Sequence, residues 1–360
     1  MQGASFPMAR AGPELVVTNL NPRFTGVSAT AANVVRRQAA LRPLVLAGYP
    51  LPGGPEPVSV RAARQACRVP PEGRPFAIWH VRRNPEMRAA IWARDVLRLP
   101  IRIVFTSAAR RRHSAYPRWL ISRMDAVIAT TEDAARYVPH VRAVVPHGVD
   151  TERFSPPSDR EGAWRALGLP GRAGIATIGR IRPEKGTDRF VEAMIETLPR
   201  LPGFTAVVAG RAGPEHAAFE RRLRQRVAEA GLADRIVFTG EIPAERMPDF
   251  MKGLSLLVAL PRYEGYGMTP LEAMASGVPF IGSDTGNFAA FASAGGGEVL
   301  SESALDRVPS LVAGLLGDPA RLHAASERAR AAAVERFSVV REVEGIEAVY
   351  RELWDRGRPA

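Results

Sequence analysis

The sequence predicts an α/β protein built from two doubly wound parallel-sheet domains that face a central cleft. Three observations carry that expectation. The 360 residues exceed the size at which one α/β core usually divides. Short β-rich apolar runs alternate with amphipathic helical stretches, the pattern of βαβ units laid on a parallel sheet. The alternation runs twice, with six strands on each side of a Pro-containing connection over 146–157.

In chain order the first six strands are expected at 15–19, 44–47, 76–80, 101–106, 126–130 and 141–145. The second six are expected at 174–178, 205–209, 236–239, 254–260, 279–282 and 297–300. From 320 onward the chain reads as helical. The domains are accordingly drawn at 1–155 and 156–338, with a closing helix over 339–360. A cleft between two such domains is the default ligand site.

Composition excludes several classes. An apolar fraction of 46% with 24% charged residues is that of an ordinary globular protein, and no apolar run approaches the ~18 residues of a membrane span. Near the start only Leu15 to Val17 is apolar, far short of the ~7 to 15 residue core of a secretory signal, so the chain is expected in the cytoplasm. Cys67 stands alone, which excludes an internal disulfide and a thiolate cluster for zinc.

The net charge of +12 is unevenly spread: residues 1–160 hold 24 Arg against 11 acidic residues, and residues 161–360 hold 25 basic against 26 acidic. The asymmetry points the first half at an anionic partner, whether nucleic acid, membrane surface or phosphorylated acceptor. The arginines are not interleaved with stacking aromatics and match no nucleic-acid-binding motif, so no nucleic acid is expected.

Chemistry concentrates at two places in the second half. After the strand ending at Leu260 the chain reads Arg262-Tyr263-Glu264-Gly265-Tyr266-Gly267-Met268-Thr269-Pro270-Leu271-Glu272. The glycines let the backbone bend closely around a ligand. Thr269, Pro270 and Glu272 read as N-cap, first helical residue and capping-box partner. Two roles for Glu272 stay open: it satisfies the Thr269 amide, or it faces a ligand. A helix N-terminus here favours an anion such as a diphosphate.

The other place follows the first strand of the same domain: Gly179-Arg180-Ile181-Arg182-Pro183-Glu184-Lys185-Gly186. It delivers Arg180 and Lys185 at the carboxyl edge of a sheet, where open α/β domains hold their ligands. A compact ammonium suits a phosphate contact. The spacing is not that of a Walker loop, and no Asp-x-Asp occurs in the chain, so no metal is expected to bridge a diphosphate.

Together these segments resemble the retaining GT-B glycosyltransferases of the family 4 type, whose signature is Glu-x7-Glu. Glu264 and Glu272 keep that spacing, and Arg180 and Lys185 match the family's basic pair. Gly148-Val149-Asp150, Gly240, the run from Glu272 to Pro279 and Arg336-Phe337-Ser338 extend the likeness over nearly the whole chain. The resemblance implies two Rossmann-like domains and hexosyl transfer from a nucleotide sugar, with no metal or other cofactor.

It further implies that Glu264 acts on the transferred sugar, that Glu272 binds the donor ribose, and that Arg180 and Lys185 neutralise the diphosphate. Gly265, Tyr266, Gly267, Met268 and Thr269 would line the donor, and Gly240, Glu241 and Ile242 would frame its base. In the first domain, Thr25, Gly26 and Val27 would form an acceptor or phosphate loop. The family's active-site histidine has two candidates there, His113 and His80. The last helix is implied to cross back onto the first domain. With no carboxylate evident for the inner face of the sugar, a same-face attack assisted by the leaving phosphate is the implied retaining route.

In overall character the chain is most similar to lipopolysaccharide core mannosyltransferases, through Trp79-His80-Val81-Arg82-Arg83-Asn84, Val104-Phe105-Thr106-Ser107-Ala108-Ala109 and Arg111-Arg112-His113. That likeness implies GDP-mannose as donor and a lipid-linked core glycan as acceptor. The alternatives are another donor such as UDP-glucose, or a GT-B sugar-nucleotide epimerase.

A lipid-linked acceptor cannot diffuse into the cytosol, so the basic half is expected to dock on an anionic membrane surface, peripherally on the cytoplasmic face of the inner membrane. The cluster runs from Arg98 through Arg102, Arg110, Arg111, Arg112 and Arg118 to Arg123, with Tyr116, Trp119 and Leu120 among them. The competing expectation is a solvated charged face with Trp119 in the core.

Overall fold

A computed structural model describes residues 11–23 and 25–357. The chain divides into two units, one running to Gly148 and resuming at Val339, the other spanning Val149–Ser338. The sequence pattern puts the first boundary at 155. It falls earlier because Val149 donates its N–H to the Phe337 carbonyl at 2.8 Å, and Val149 and Phe154 are buried in the second unit's core.

The first unit's strands are β1 (Leu15–Asn19), β2 (Leu44–Gly48), β3 (Ala77–Val81), β4 (Ile101–Ser107), β5 (Ala126–Ala129) and β6 (Val141–Val144). They form one parallel sheet in the order β2-β1-β3-β4-β5-β6. β1 and β3 are buried at every residue, as strands covered on both faces are.

The helix Val339–Arg356 belongs to this unit. Its Val343, Ile346, Val349, Tyr350 and Trp354 complete a core with Leu15, Val17, Leu46 and Ile78. Its polar groups are matched as well: Trp354 Nε1 donates to the Phe76 carbonyl at 3.0 Å, and Gln38 Nε2 donates to Glu347 at 2.8 Å.

The second unit's strands are β7 (Ala173–Ile178), β8 (Phe204–Ala209), β9 (Ile236–Gly240), β10 (Leu254–Ala259), β11 (Phe280–Ser283) and β12 (Gly297–Leu300). They too are all parallel, in the order β12-β11-β10-β7-β8-β9. Each of the twelve strands lies within one residue of its expected bounds. The direction of winding reverses between β7 and β10, and the crevice outside the carboxyl ends of two such strands is where an open α/β sheet holds a ligand. Among the described residues no helix is long and apolar enough to cross a membrane.

Candidate active site

The second unit assembles its site from the loops that leave β7 and β10. β7 runs into Gly179 and Arg180 and then a single 3-10 turn, Pro183–Lys185. Gly186 closes that turn at φ 68°, where a Cβ would sit 1.8 Å from the Leu260 carbonyl oxygen, so only glycine lets the two loops touch. The contact is stitched by hydrogen bonds: Arg262 N–H donates to the Glu184 carbonyl at 2.8 Å, and the Arg262 guanidinium grips both Asp188 oxygens at 2.8 and 2.7 Å. Burial alone would raise the Asp188 carboxyl, but the Arg262 fork outweighs it and holds the group below its ordinary range.

That stitching brings together the two acid and base residues singled out from sequence. Lys185 Nζ lies 2.7 Å from Glu264 Oε2, while Glu264 Oε1 accepts the Gly265 N–H at 2.8 Å. The pair is partly exposed, with 26% of the Lys185 side chain and 20% of that of Glu264 open to solvent. Arg180 is exposed at the same loop and has no ion pair among the described residues. Gly240 ends β9 at φ 75° with open space where a Cβ would be, and Glu241 beside it is exposed while Ile242 leans on the core.

Downstream of Glu264 the structure corrects two expectations. The helix spans Met268–Ala275 and its N-cap is Gly267, at φ 97°, not Thr269. The capping box therefore does not form, and no side chain caps this end. The reason is packing: Gly267 rests on Phe288, whose ring would lie 2.2 Å from a Cβ, so the chain turns into the helix two residues early. Tyr266 is the second correction. Its ring is buried against Phe291 at 5.7 Å between centroids, so its side chain belongs to the core. Asn287 N–H donates to the Tyr266 carbonyl at 2.9 Å, tying the loop after β11 to this one.

Glu272 thus has no capping task. Burial pushes its carboxyl up to about 7, partly opposed by the Arg153 guanidinium. Arg153 went unnoticed in the sequence because nothing in its neighbourhood, Thr151 to Phe154, has a motif; only the fold sets it near Glu272. At the other end of the same helix, Arg330 donates to the Ala275 carbonyl, and Arg160 donates to those of Ser276 and Gly277 at 3.1 and 3.0 Å.

In the first unit, Thr25 is the extended N-cap of the helix Gly26–Leu41, and Thr25, Gly26 and Val27 are exposed just beyond β1. His113 lies in the loop between β4 and the helix Ala115–Ser122, with its Nε2 buried and unpartnered among the described residues. His80 is a different case. It is fully buried, Nδ1 lies 2.5 Å from the Tyr350 hydroxyl and Nε2 2.7 Å from Thr106 Oγ1, and burial first, then Arg82, holds its pKa well below the ordinary value. Both ring nitrogens are engaged inside the core, so His80 is structural.

The aromatic and basic cluster is also divided. Trp119 and Tyr116 are about half exposed and stack on one another, against the expectation of a buried Trp119. Leu120 is fully buried and drops out. Arg102 pairs with Asp125 and Arg123 with Asp95. A groove of about 630 Å³ runs beside these residues, lined among others by Arg64, Arg88, Trp92, Val96, Tyr116 and Trp119.

A family model described as Glycosyl transferases group 1 matches residues 165–332. The chain is 44% identical over 345 residues to the lipopolysaccharide core biosynthesis mannosyltransferase LpsB of Rhizobium meliloti (strain 1021), a match covering 94% of this chain and 97% of that protein. It is 41% identical over 344 residues to the lipopolysaccharide core biosynthesis mannosyltransferase LpcC of Rhizobium leguminosarum bv. viciae, covering 94% and 96%. Among solved structures, Anabaena Alr3699/HepE in complex with UDP and glucose is similar with a TM-score of 0.75 over 94% of this chain and 99% of that one. At 16% identity that likeness is one of fold.

Proposed function

The chain belongs to the glycosyl transferases group 1 and has the two parallel sheets of a GT-B enzyme, and from that premise we propose that it moves a mannosyl group from GDP-mannose onto a lipopolysaccharide core or other lipid-linked envelope glycan, with retention at the anomeric carbon. The observation that carries the reading is the Lys185–Glu264 pair, 2.7 Å apart beside a helix N-terminus that no side chain caps. An ammonium, a nearby exposed guanidinium on Arg180 and free helix amides are what a departing diphosphate needs.

In this reading the diphosphate takes Lys185 from Glu264, which frees the carboxylate to act on the sugar as positive charge develops. Glu272 receives the ribose hydroxyls, and their hydrogen bonds favour its ionised form. The bond from C1 to the phosphate oxygen breaks, and the acceptor hydroxyl forms its bond to C1 on the same face. Its proton leaves with the departing phosphate. Protein cations do the work of a metal. His113, with its unpartnered Nε2, is the first unit's candidate catalytic group. Thr25, Gly26 and Val27 form the acceptor or phosphate loop, and the basic, aromatic face around Trp119 holds the enzyme to an anionic membrane.

Thermal shift against a panel of nucleotide sugars tests the donor, since a selective ligand at 100 times its Kd stabilises by about 2.7 kcal/mol. GDP-mannose is expected to raise Tm, and acceptor-dependent release of GDP is expected to persist in EDTA. A shift with UDP-glucose alone would overturn the donor assignment. Loss of transfer in EDTA with rescue by Mg²⁺ would overturn the role given to Arg180 and Lys185, and nucleotide-sugar isomerisation without acceptor would make the enzyme an epimerase.

A further inference from the structure

We propose that Arg83 is a positioning residue for the transfer reaction: anchored by the buried carboxylate of Glu86, its guanidinium fixes the loop that carries Thr25, Gly26 and Val27. The proposal rests on the reading of that loop as the acceptor or phosphate loop. Arg83 lies in the stretch Trp79 to Asn84 that carries the likeness to lipopolysaccharide core mannosyltransferases, which gives it no role, and Glu86 lies just beyond that stretch.

One guanidinium reaches four acceptors. Arg83 Nη1 lies 3.0 Å from Asn19 Oδ1 and 3.2 Å from Glu86 Oε1, and Nη2 lies 3.0 Å from Thr25 Oγ1 and 2.9 Å from Ser28 Oγ. It therefore joins the end of β1, the N-cap and the first turn of the helix Gly26–Leu41 through a single planar fork, a geometry an ammonium cannot reproduce. Glu86 is fully buried, and its oxygens accept the N–H groups of Leu20, Arg82 and Arg83 at 3.2, 2.7 and 3.1 Å. The carboxylate that neutralises Arg83 is thus itself held by three amides, and it reaches the same loop from the other side through Leu20.

The arrangement has a cost that a purely structural role does not explain. Thr25 is an N-cap by backbone shape, yet its hydroxyl makes no capping bond and faces Arg83 instead. The first turn holds no acidic residue, so a cation stands at the positive end of the helix macrodipole. Such a placement sacrifices helix stability, because the Thr25 hydroxyl caps none of the first-turn amides. In exchange the loop is held in one shape beside the exposed Gly26 and Val27.

Arg83→Met, Arg83→Lys and Glu86→Gln test the assignment in the full-length enzyme. Transfer kinetics are measured with GDP-mannose and acceptor, and hydrogen exchange is followed at Leu20 and at Gly26 to Ser28. Misplacing a reacting group by 1 Å costs on the order of 10²-fold, so Arg83→Met is expected to lower kcat/KM for the acceptor by roughly 10- to 100-fold, with donor affinity changed by less than about twofold. Arg83→Lys is expected to recover only part of that loss, and exchange at the named amides to speed up by about tenfold or more in all three variants.

Wild-type acceptor kinetics in Arg83→Met, with or without a lowered Tm, would leave Arg83 a structural residue and overturn the proposal. Should Arg83→Met fail to fold, Arg83→Lys keeps the charge and carries the same test. A wild-type enzyme inactive with GDP-mannose would sink the donor reading alone; unchanged amide exchange in the variants would still overturn the clamp.

Discussion

Glu272 shows how one residue's burial couples stability to function. Its carboxyl is pushed up to about 7 from an ordinary 4.5. Between those values the folded chain holds a proton that the unfolded chain has released, so stability falls as pH rises through that window and levels off above it. Glu272→Gln removes the dependence, and its stability relative to wild type should grow from pH 5 to pH 8 in denaturant titrations. In the proposed donor site binding should run the other way, because an ionised carboxylate is the form that accepts ribose hydroxyls. Donor affinity should fall by up to about tenfold per unit as pH drops below 7, and calorimetry showing a flat affinity from pH 8 to pH 6 would remove Glu272 from the donor site. Glu264→Gln makes a separate case. It releases Lys185, so donor affinity should not weaken, whereas turnover should drop by ~10² to 10³, roughly 3 to 4 kcal/mol. Near-normal turnover would end its catalytic assignment.

The element that matters most is the helix Met268–Ala275. Its start is dictated by Gly267, left-handed at φ 97° over the buried Phe288 ring, and its end is held by Arg160 and Arg330. Among the described residues Arg160 donates only to carbonyls, those of Lys252, Leu254, Ser276 and Gly277, and burial lowers its pKa to about 10. Its charge sits at the negative end of the helix, where a cation is favoured. The helix is thus held at both ends independently of any ligand. Gly267→Ala adds left-handed strain and overpacks Phe288, and should cost about 2 to 4 kcal/mol in chemical denaturation. Gly265→Ala, with nothing within 4 Å of its Cβ, should stay within about 0.5 kcal/mol of wild type. Equal effects at the two positions would contradict the packing account.

At the scale of the whole molecule the charge asymmetry gains a surface. The first half's excess of arginine includes the exposed Arg98, Arg111, Arg112 and Arg118, and beside them Trp92, Val96, Leu97, Tyr116 and Trp119 are also exposed. Each Arg near an anionic bilayer is worth about 1 kcal/mol, so a few suffice for reversible attachment. Sedimentation with liposomes should show binding that requires anionic lipid, falls with salt, and weakens when Arg110, Arg111 and Arg112 become Ser. Changing Trp119 to Ser should weaken it further. Equal binding to neutral and anionic vesicles, or none to either, would sink membrane docking and leave the charge to a phosphorylated acceptor.

The sequence by itself determined the fold class and all twelve strands, because period and length of apolar runs are local properties that a buried parallel strand cannot hide. It also determined which loops carry Lys185 and Glu264 and that Glu272 sits on the helix following the second of them, since loops at carboxyl strand ends follow from strand order. Only the tertiary structure decided where the helix after Glu264 begins, because the ring that forces Gly267 to be the cap belongs to Phe288, the first residue of the helix after β11. It decided that Tyr266 and His80 face inward and Trp119 outward, which depends on neighbours that no local period encodes. It decided, finally, that Arg83 spans Asn19, Thr25 and Ser28: a clamp made by a side chain across more than fifty residues of chain exists only once β1 and β3 lie side by side.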